Sequence, residues 1–381
     1  MLKRILAVVA VLGLVSFASS HTADLLQPVQ DVYRLIHTYY YRANEVSDDQ
    51  LLHGALRGMI ESLGDPYSTF FDPQEYQEWQ ESLKGEYSGV GIEITIRDGK
   101  ITVVSPLADT PAEAAGIQPG DWIKAVDGES TEGWTLEEAS MHIRGEEGTE
   151  VVLTVQHRDG TVEDITIVRA HIHVKPIQSR YLDDEHVAYV RILRFDFDTA
   201  GELGKALYSF PLEELKGVIL DLRNNPGGLL SAAVEVASFF LDKGKLVVST
   251  KGPSFGTKRY YSSGNGFPDL PLAVLVNEGT ASASEIVAGA IQDHGVGVLI
   301  GEKTFGKGVI QEFVSRLSDG SAIKLTVGEY FTPKGRPVQD VGLTPDIEVE
   351  GAGTTGEDDP CIKAALDWIE SQARESVGSP G

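Results

Sequence analysis

The chain has 381 residues, with 57 acidic against 32 basic side chains and a formal net charge of −25 at pH 7. A balance this acidic argues against nucleic acid or an anionic membrane surface as the partner, because both repel a negatively charged protein. Cys361 is the only cysteine, which excludes an intrachain disulfide, so the fold must rest on its apolar core.

Residues 1–20 have the pattern of a secretory signal peptide. Lys3 and Arg4 form a basic start, residues 5–18 form an apolar core, and small residues follow. The apolar core is short for a membrane-spanning helix, which needs about 20 residues. The pattern predicts export to the periplasm or another extracytoplasmic compartment, and retention of the segment as a membrane anchor stays open as the alternative.

Residues 21–84 are predicted to form a helical region. Leu25, Val29 and Val32 recur at helical spacing, and Ser47 with Gln50 has the spacing of a capping box at the start of a second helix. The aromatic side chains of this helical arm are predicted to belong to the core.

Residues 85–170 alternate between glycine turns, short strands and short helices. A turn over residues 89–91 leads into an alternating strand, a short helix opens at Pro111, and strands are predicted at 151–155 and 162–168. Taken alone, Gly89 and Gly91 indicate no more than a structural turn.

From residue 171 the pattern predicts an α/β core. Strands at 187–192 and 215–223 are followed by a turn with the sequence Asn-Asn-Pro-Gly-Gly and a helix at 229–241. Glycine lets a backbone N–H approach a ligand, so the turn is a candidate oxyanion contributor. An ordinary strand-to-helix turn is the alternative.

Ser282 lies in a second strand-to-helix turn, between an apolar strand at 272–276 and a helix at 285–293. Such a turn can lift a hydroxyl clear of a sheet, beside free N–H groups at the helix N-terminus. The Ser282 to Glu285 spacing is also that of a capping box, which needs no catalysis.

The strongest candidate for a base near this serine is a lysine. His294 follows Ser282 at the far end of the predicted helix, about 18 Å away and too far for a hydrogen bond. Lys307 follows a strand at 296–300, between two glycines, and becomes a base if burial lowers its pKa. Gln311 faces the same way on a strand and is a candidate partner for it. The alternative is a solvated surface lysine.

Two segments, NEGTASASEIVAGAIQDHG at 277–295 and GEKTFGKGVIQ at 301–311, resemble the carboxyl-terminal processing peptidases, or tail-specific proteases. These are serine peptidases with a Ser-Lys-Gln catalytic set. The resemblance implies Ser282 as the nucleophile, with Ser284 as the fallback, and Lys307 as the general base oriented by Gln311. It also implies that the backbone N–H groups of Gly228 and Ala283 are the oxyanion donors, with Gly227 as the alternative to Gly228.

The resemblance also implies the domain order. It predicts an N-terminal helical region at 21–84, a circularly permuted PDZ domain at 85–170, a crotonase-like (ClpP/crotonase-type) α/β peptidase core at 171–350, and a C-terminal linker and helix at 351–381. A PDZ domain takes up a peptide C-terminus as an added strand. Here the carboxylate would be held by the backbone N–H groups of Gly89, Val90, Gly91 and Ile92. Arg144 would contact the peptidase core when peptide is bound, or would remain a solvated arginine at a helix end.

The function expected from these features is that of an exported serine endopeptidase for proteins or peptides with free C-termini. The sequence offers no metal-ligand cluster, Walker loop or dinucleotide fingerprint, so we expect no metal and no cofactor. In the family that the chain resembles, helical arms of this kind mediate dimerisation. The resemblance therefore implies that a homo-oligomer is possible. Two alternatives are a non-catalytic PDZ adaptor and an acyl hydrolase acting on thioesters.

Overall fold

The computed structural model describes residues 26–83, 86–107, 110–264, 266–267, 269–352 and 359–378. The predicted signal segment, residues 1–20, lies outside these ranges. Within them, no helix combines the length and the apolar character needed to cross a membrane.

The elements alternate along the chain much as predicted, with boundaries shifted by a few residues. The helices are α1 (26–39), α2 (Asp48–Glu61), α3 (Pro73–Leu83), α4 (Pro111–Ala114), α5 (Leu136–Ile143), α6 (Thr199–Ser209), α7 (Leu230–Ala237), α8 (Ala283–His294) and α9 (Pro360–Gly378), with a 3-10 turn at Ala43–Glu45. The strands are β1 (Thr69–Phe71), β2 (Glu86–Gly89), β3 (Ile92–Arg97), β4 (Lys100–Pro106), β5 (Trp122–Val126), β6 (Glu129–Ser130), β7 (Glu150–Gln156), β8 (Val162–Val168), β9 (Ala170–His173), β10 (Ile177–Leu182), β11 (Val187–Ile192), β12 (Gly217–Asp221), β13 (Leu246–Gly252), β14 (Gly256–Tyr261), β15 (Leu272–Val276), β16 (Val298–Gly301), β17 (Val309–Arg316), β18 (Ala322–Phe331) and β19 (Ile347–Glu348).

The described part of the chain divides into two units, and the first comprises residues 26–76 and 311–326. The predicted capping box of α2 is confirmed, because Ser47 and Gln50 exchange side-chain and backbone hydrogen bonds of 2.9 and 3.1 Å. β1 pairs antiparallel with the start of β18 and buries Phe70. The prediction that the arm's aromatic residues are core is wrong for Tyr39 and Tyr41, whose side chains are exposed.

The second unit comprises residues 77–310 and 327–381, and its first part is a small antiparallel sheet. The strand order is β3-β4-β5-β7-β8, with β6 paired to β5, while β2 and β9 form a separate pair. Alternate side chains of β7, Val151, Leu153 and Val155, are fully buried, which gives this sheet its own apolar core.

The larger part of the second unit is a mixed sheet in the order β10-β11-β12-β15-β16-β19. In this sheet β10 is antiparallel to β11. The other five strands, β11, β12, β15, β16 and β19, run parallel to one another. Every residue of β12 and β15 is buried, as expected for parallel strands covered on both faces. Parallel strands end at one edge, so the segments that follow β12, β15 and β16 meet there.

Candidate active site

Ser282 sits where β15 turns into α8, with an unusual backbone conformation. Its φ and ψ are 55° and −114°, a region that non-glycine residues rarely adopt. The capping-box relation predicted with Glu285 is present, since the Glu285 carboxylate accepts a hydrogen bond from the Ser282 N–H at 2.9 Å. The side chain of Ser282 is half-buried. The turn therefore combines a capping box with backbone strain at the serine itself.

Glu285 is fully buried, and its two carboxylate oxygens accept four hydrogen bonds. One oxygen accepts from the N–H groups of Ser282 and Lys307, both at 2.9 Å. The other accepts from the Thr304 hydroxyl at 2.6 Å and the Gly306 N–H at 2.8 Å. Burial raises the pKa of Glu285, and these hydrogen bonds oppose that shift. With all lone pairs used by donors, the geometry suits the ionised carboxylate.

Lys307 lies in the segment after β16, and Glu285 ties this segment to the serine turn. The lysine is half-buried, between the buried residues Gly306 and Gly308. A Cβ on Gly308 would lie 2.1 Å from the backbone nitrogen of Gln339, so the backbone is closely packed here. The alternative of a fully solvated surface lysine therefore does not describe Lys307.

Gln311 belongs to the first unit, where it lies in β17. Its side-chain amide donates to the hydroxyl of Thr326 at 3.3 Å. Its predicted role as the partner of the base remains a prediction.

The Asn-Asn-Pro-Gly-Gly turn follows β12 and packs against the serine turn. Gly227 and Gly228 have φ values of 101° and 143°, which favour glycine. A Cβ on Gly227 would lie 2.8 Å from both the Ala283 nitrogen and the Ser282 Cβ. The Gly227 N–H donates to the Asn225 side-chain oxygen at 2.9 Å. Across the described residues, the N–H groups of Gly228 and Ala283 have no acceptor.

Polar contacts hold these two turns together. The Asn225 carbonyl accepts from the Ala281 N–H and from the Ser284 hydroxyl, both at 3.0 Å. The Asn224 N–H donates to the Asn277 side chain at 2.9 Å, and the Asn277 amide donates back to Asn224 at 2.9 Å. Ser284, the fallback nucleophile, is therefore fully buried with its hydroxyl engaged.

Sequence reasoning missed the residues that connect the turns. Asn225, Asn277 and the linking role of Glu285 were not predicted, nor was Tyr330, whose hydroxyl lies 3.2 Å from the Ser282 carbonyl oxygen. A usable signal existed, because polar residues that directly follow buried parallel strands gather at one edge of a sheet. His294 lies at the end of α8 and donates from Nε2 to the Leu246 carbonyl at 2.7 Å, away from Ser282.

The residues predicted to hold a peptide carboxylate lie between β2 and β3. Gly91 has a φ of 82°, and its carbonyl accepts from the Leu107 N–H at 2.9 Å and from the Thr110 hydroxyl at 3.1 Å. Val90, between Gly89 and Gly91, is fully buried, and Ile92 begins β3.

Arg144 directly follows α5 and is exposed. Its guanidinium lies 4.7 Å from the ring centroid of Tyr87 in β2, a cation–π arrangement. Burial raises the pKa of the Tyr87 phenol. Arg144 therefore joins the end of α5 to β2, which neither of the two predicted roles anticipated.

Models of three protein families match the chain. The model of peptidase family S41 matches residues 186–349, a PDZ domain model matches residues 102–157, and a model of the N-terminal domain of the activating protease CtpB matches residues 14–75.

Curated bacterial proteins resemble the chain over most of its length. It is 41% identical over 329 residues to a carboxy-terminal-processing protease of Bartonella bacilliformis, a match covering 84% of this chain and 74% of that protein. It is 39% identical over 329 residues to a probable CtpA-like serine protease of Staphylococcus aureus, covering 85% of this chain and 65% of that protein.

Solved structures give a matching result. The structure of a photosystem II D1 C-terminal processing protease is 31% identical, with a TM-score of 0.54 over 90% of this chain and 91% of that one. A putative S41 protease from Bacteroides fragilis is 18% identical, with a TM-score of 0.57 over 83% of this chain and 90% of that one, and this likeness concerns the fold alone.

Proposed function

The chain belongs to peptidase family S41 and is a serine peptidase with a PDZ domain, and from this premise we propose that Ser282 is its nucleophile and Lys307 its general base. One observation carries the proposal most directly. The N–H groups of Ser282 and Lys307 donate to the same buried oxygen of Glu285, so the two residues are held at one site. A strained backbone at Ser282 supports the same assignment, because such strain clusters at active sites.

In the proposed reaction the Ser282 hydroxyl attacks the scissile carbonyl of a polypeptide. Neutral Lys307 takes the hydroxyl proton and gives it to the departing amine, so the peptide C–N bond breaks and an acyl-enzyme forms. Water then hydrolyses the ester, with Lys307 again acting as the base. Gln311 orients the lysine in this scheme. The buried hydroxyl of Ser284 already donates to the Asn225 carbonyl, which favours Ser282 over Ser284.

The oxyanion of the tetrahedral intermediate is proposed to bind the N–H groups of Gly228 and Ala283. Neither group has an acceptor among the residues that the structure describes. The alternative donor, Gly227, already donates to the Asn225 side chain. Gly228 is also exposed, whereas Gly227 is buried, so a substrate reaches the former more readily.

Substrate recognition is assigned to the PDZ domain. The N–H groups of Gly89, Val90, Gly91 and Ile92 would hold the C-terminal carboxylate of a loosely folded protein or peptide, and the tail would be added as a strand. Arg144 is proposed to respond to peptide binding through its contact with Tyr87. Tyr87 lies in β2, and β2 leads directly into the carboxylate-binding turn.

The remaining proposals concern architecture and location. A crotonase-type peptidase core at 171–350, an arm at 21–84, a PDZ domain at 85–170 and a C-terminal helix region at 351–381 are supported by the element order. Export, with cleavage or retention of residues 1–20, is supported by their basic start and apolar run. Exposed apolar side chains on the arm support homo-oligomerisation through it.

The test is cleavage of an unfolded protein that carries an apolar C-terminal tail, with products followed by intact mass. Wild type should produce fragments, and Ser282→Ala and Lys307→Ala should produce none. Ser284→Ala is the matched control and should still cleave. Cleavage by Ser282→Ala at the wild-type rate would overturn the nucleophile assignment, and tail binding without cleavage by wild type would indicate an adaptor.

A further inference from the structure

Tyr330 lies near the end of β18 and is almost fully buried, at 2% exposure. Its hydroxyl lies 3.2 Å from the carbonyl oxygen of Ser282 and donates to it. A buried phenol is stable only when its hydroxyl finds a partner, so this contact is a determinant of the local structure. The catalytic groups proposed above, Ser282, Lys307, Gln311, Gly228 and Ala283, do not include this phenol.

Two acceptors lie close to the hydroxyl of Tyr330, the Ser282 carbonyl and the Glu285 carboxylate. Burial raises the pKa of the phenol well above its ordinary value, and the negative charge of Glu285 and a hydrogen bond to its carboxylate add to the rise. The Glu285 oxygens, however, already accept four hydrogen bonds. The raised pKa keeps the phenol neutral, and its hydroxyl donates to the Ser282 carbonyl oxygen at 3.2 Å.

That carbonyl oxygen also accepts the N–H of Ile286 at 3.0 Å, as the first hydrogen bond of α8. A carbonyl oxygen has two lone pairs, and here Ile286 and Tyr330 use both. The other side of the residue is held as well, because the Ser282 N–H donates to Glu285. The strained serine is therefore restrained at both of its peptide groups.

The carbonyl of Ser282 and the N–H of Ala283 belong to one planar peptide group and point in opposite directions. Any group that fixes the direction of the carbonyl therefore also fixes the direction of the N–H. The Ala283 N–H is one of the two proposed oxyanion donors, and rotation of this peptide would turn it away from the oxyanion.

Tyr330 is itself held by the strands around it. Its backbone N–H donates to the Gly308 carbonyl at 2.8 Å, and its strand pairs with β13, where Tyr330 lies opposite Thr250. Gly308 directly follows Lys307, so Tyr330 contacts both the lysine segment and the serine turn.

We propose that Tyr330 is a positioning residue that orients the Ser282–Ala283 peptide, so that the Ala283 N–H points at the oxyanion of the tetrahedral intermediate. The inference rests on the proposed function, because it needs Ser282 as the nucleophile. It assigns Tyr330 no contact with substrate. Its effect should be confined to the tetrahedral states, in which the oxyanion is formed.

The test compares Tyr330→Phe with wild type, using a cleavable peptide and a peptide boronate that forms a tetrahedral adduct with the catalytic serine. Loss of one neutral hydrogen bond should lower kcat about tenfold and leave KM unchanged. Affinity for the boronate should fall by the same factor, and affinity for a C-terminal tail peptide should not change. Tyr260→Phe, which removes a phenol from strand β14 of the same sheet, is the matched control and should behave as wild type.

Rates are expressed per folded molecule, measured by near-ultraviolet circular dichroism below the melting transition, so a partly unfolded variant remains informative. Wild-type kcat and boronate affinity in Tyr330→Phe would overturn the inference. A purely structural role would instead weaken tail binding and boronate binding together. If instead the proposed function is wrong, no adduct forms on Ser282. Wild type and Ser282→Ala would then bind the boronate equally.

Discussion

The backbone nitrogen of Lys307 lies 2.9 Å from a carboxylate oxygen of Glu285. The same oxygen accepts the N–H of Ser282, so one buried carboxylate joins two segments that are separated by 22 residues from Glu285 to Lys307. Hydrogen bonds to a charged acceptor are stronger than those between neutral groups. We infer that the relative position of the serine turn and the lysine segment depends on this one ionised side chain.

Replacing Glu285 with glutamine should disturb that junction. Glutamine has one acceptor oxygen and one donor NH₂, so two of the four donors now held by Glu285 lose their acceptor. A buried donor without an acceptor costs about 1–3 kcal/mol. We expect Glu285→Gln to lower kcat roughly tenfold or more and to reduce thermal stability.

The matched control is Glu278→Gln, in the same turn, where the glutamate is exposed. Peptide cleavage and thermal melting should be measured on both variants. Wild-type activity in Glu285→Gln would contradict the inferred role of the carboxylate.

Adding a methyl group at Gly228 should disrupt the candidate oxyanion turn. A Cβ there would lie 2.0 Å from the Phe195 carbonyl oxygen, and the φ of 143° is strained for any other residue. We expect Gly228→Ala to lower kcat/KM by about 100-fold, as loss of one oxyanion donor does. Gly201→Ala in α6, where a Cβ meets nothing within 4 Å, should keep full activity in the same kinetic assay.

Removing the charge of Arg223 should destabilise the peptidase core. Arg223 is buried between Asp221 and Asp359, with contacts of 2.6 and 2.7 Å, and these partners raise its pKa. Arg223→Gln leaves both carboxylates buried without their cation, which typically costs about 3–5 kcal/mol. Urea unfolding should show this loss, and Arg259→Gln on the exposed strand β14 should unfold as wild type.

His157 should make the stability of the PDZ domain depend on pH. A hydrogen bond to Glu163 at 2.7 Å and an ion-pair contact with Asp121 at 3.0 Å raise the pKa of His157 above the ordinary value of 6.5. A raised histidine pKa means that the folded state binds the proton more tightly. The stabilisation is therefore complete below pH 6.5 and is lost as the pH rises through the folded-state pKa.

The measurement is the melting temperature of wild type minus that of His157→Gln across this pH range. The difference should be largest in acid and should shrink as the pH rises. A difference that does not change with pH would contradict the prediction. Hydrogen bonds from Thr161 lower the pKa of nearby Asp159, and His157 adds to this to a smaller degree, so Asp159→Asn serves as a second control.

Much of the local structure could be predicted from the sequence, because its signals are local. The uninterrupted apolar run at 272–276 predicts a buried strand, and the structure has β15 over the same residues. The spacing of Ser47 and Gln50 predicts a capping box that the structure contains. The exposure of Tyr39 and Tyr41 was not predictable, because an amphipathic pattern does not say what covers its apolar face.

The sequence by itself determined which chemical groups are present and the turns on which they lie: Ser282 before a helix, Lys307 between glycines, and a Pro-Gly-Gly turn after a strand. Only the tertiary structure decided their partners. The parallel order β12-β15-β16 brings three distant segments to one edge, where Glu285 meets Lys307 and Tyr330 meets Ser282. Such contacts depend on how strands are ordered in space, and the spacing of residues along the chain does not contain that information.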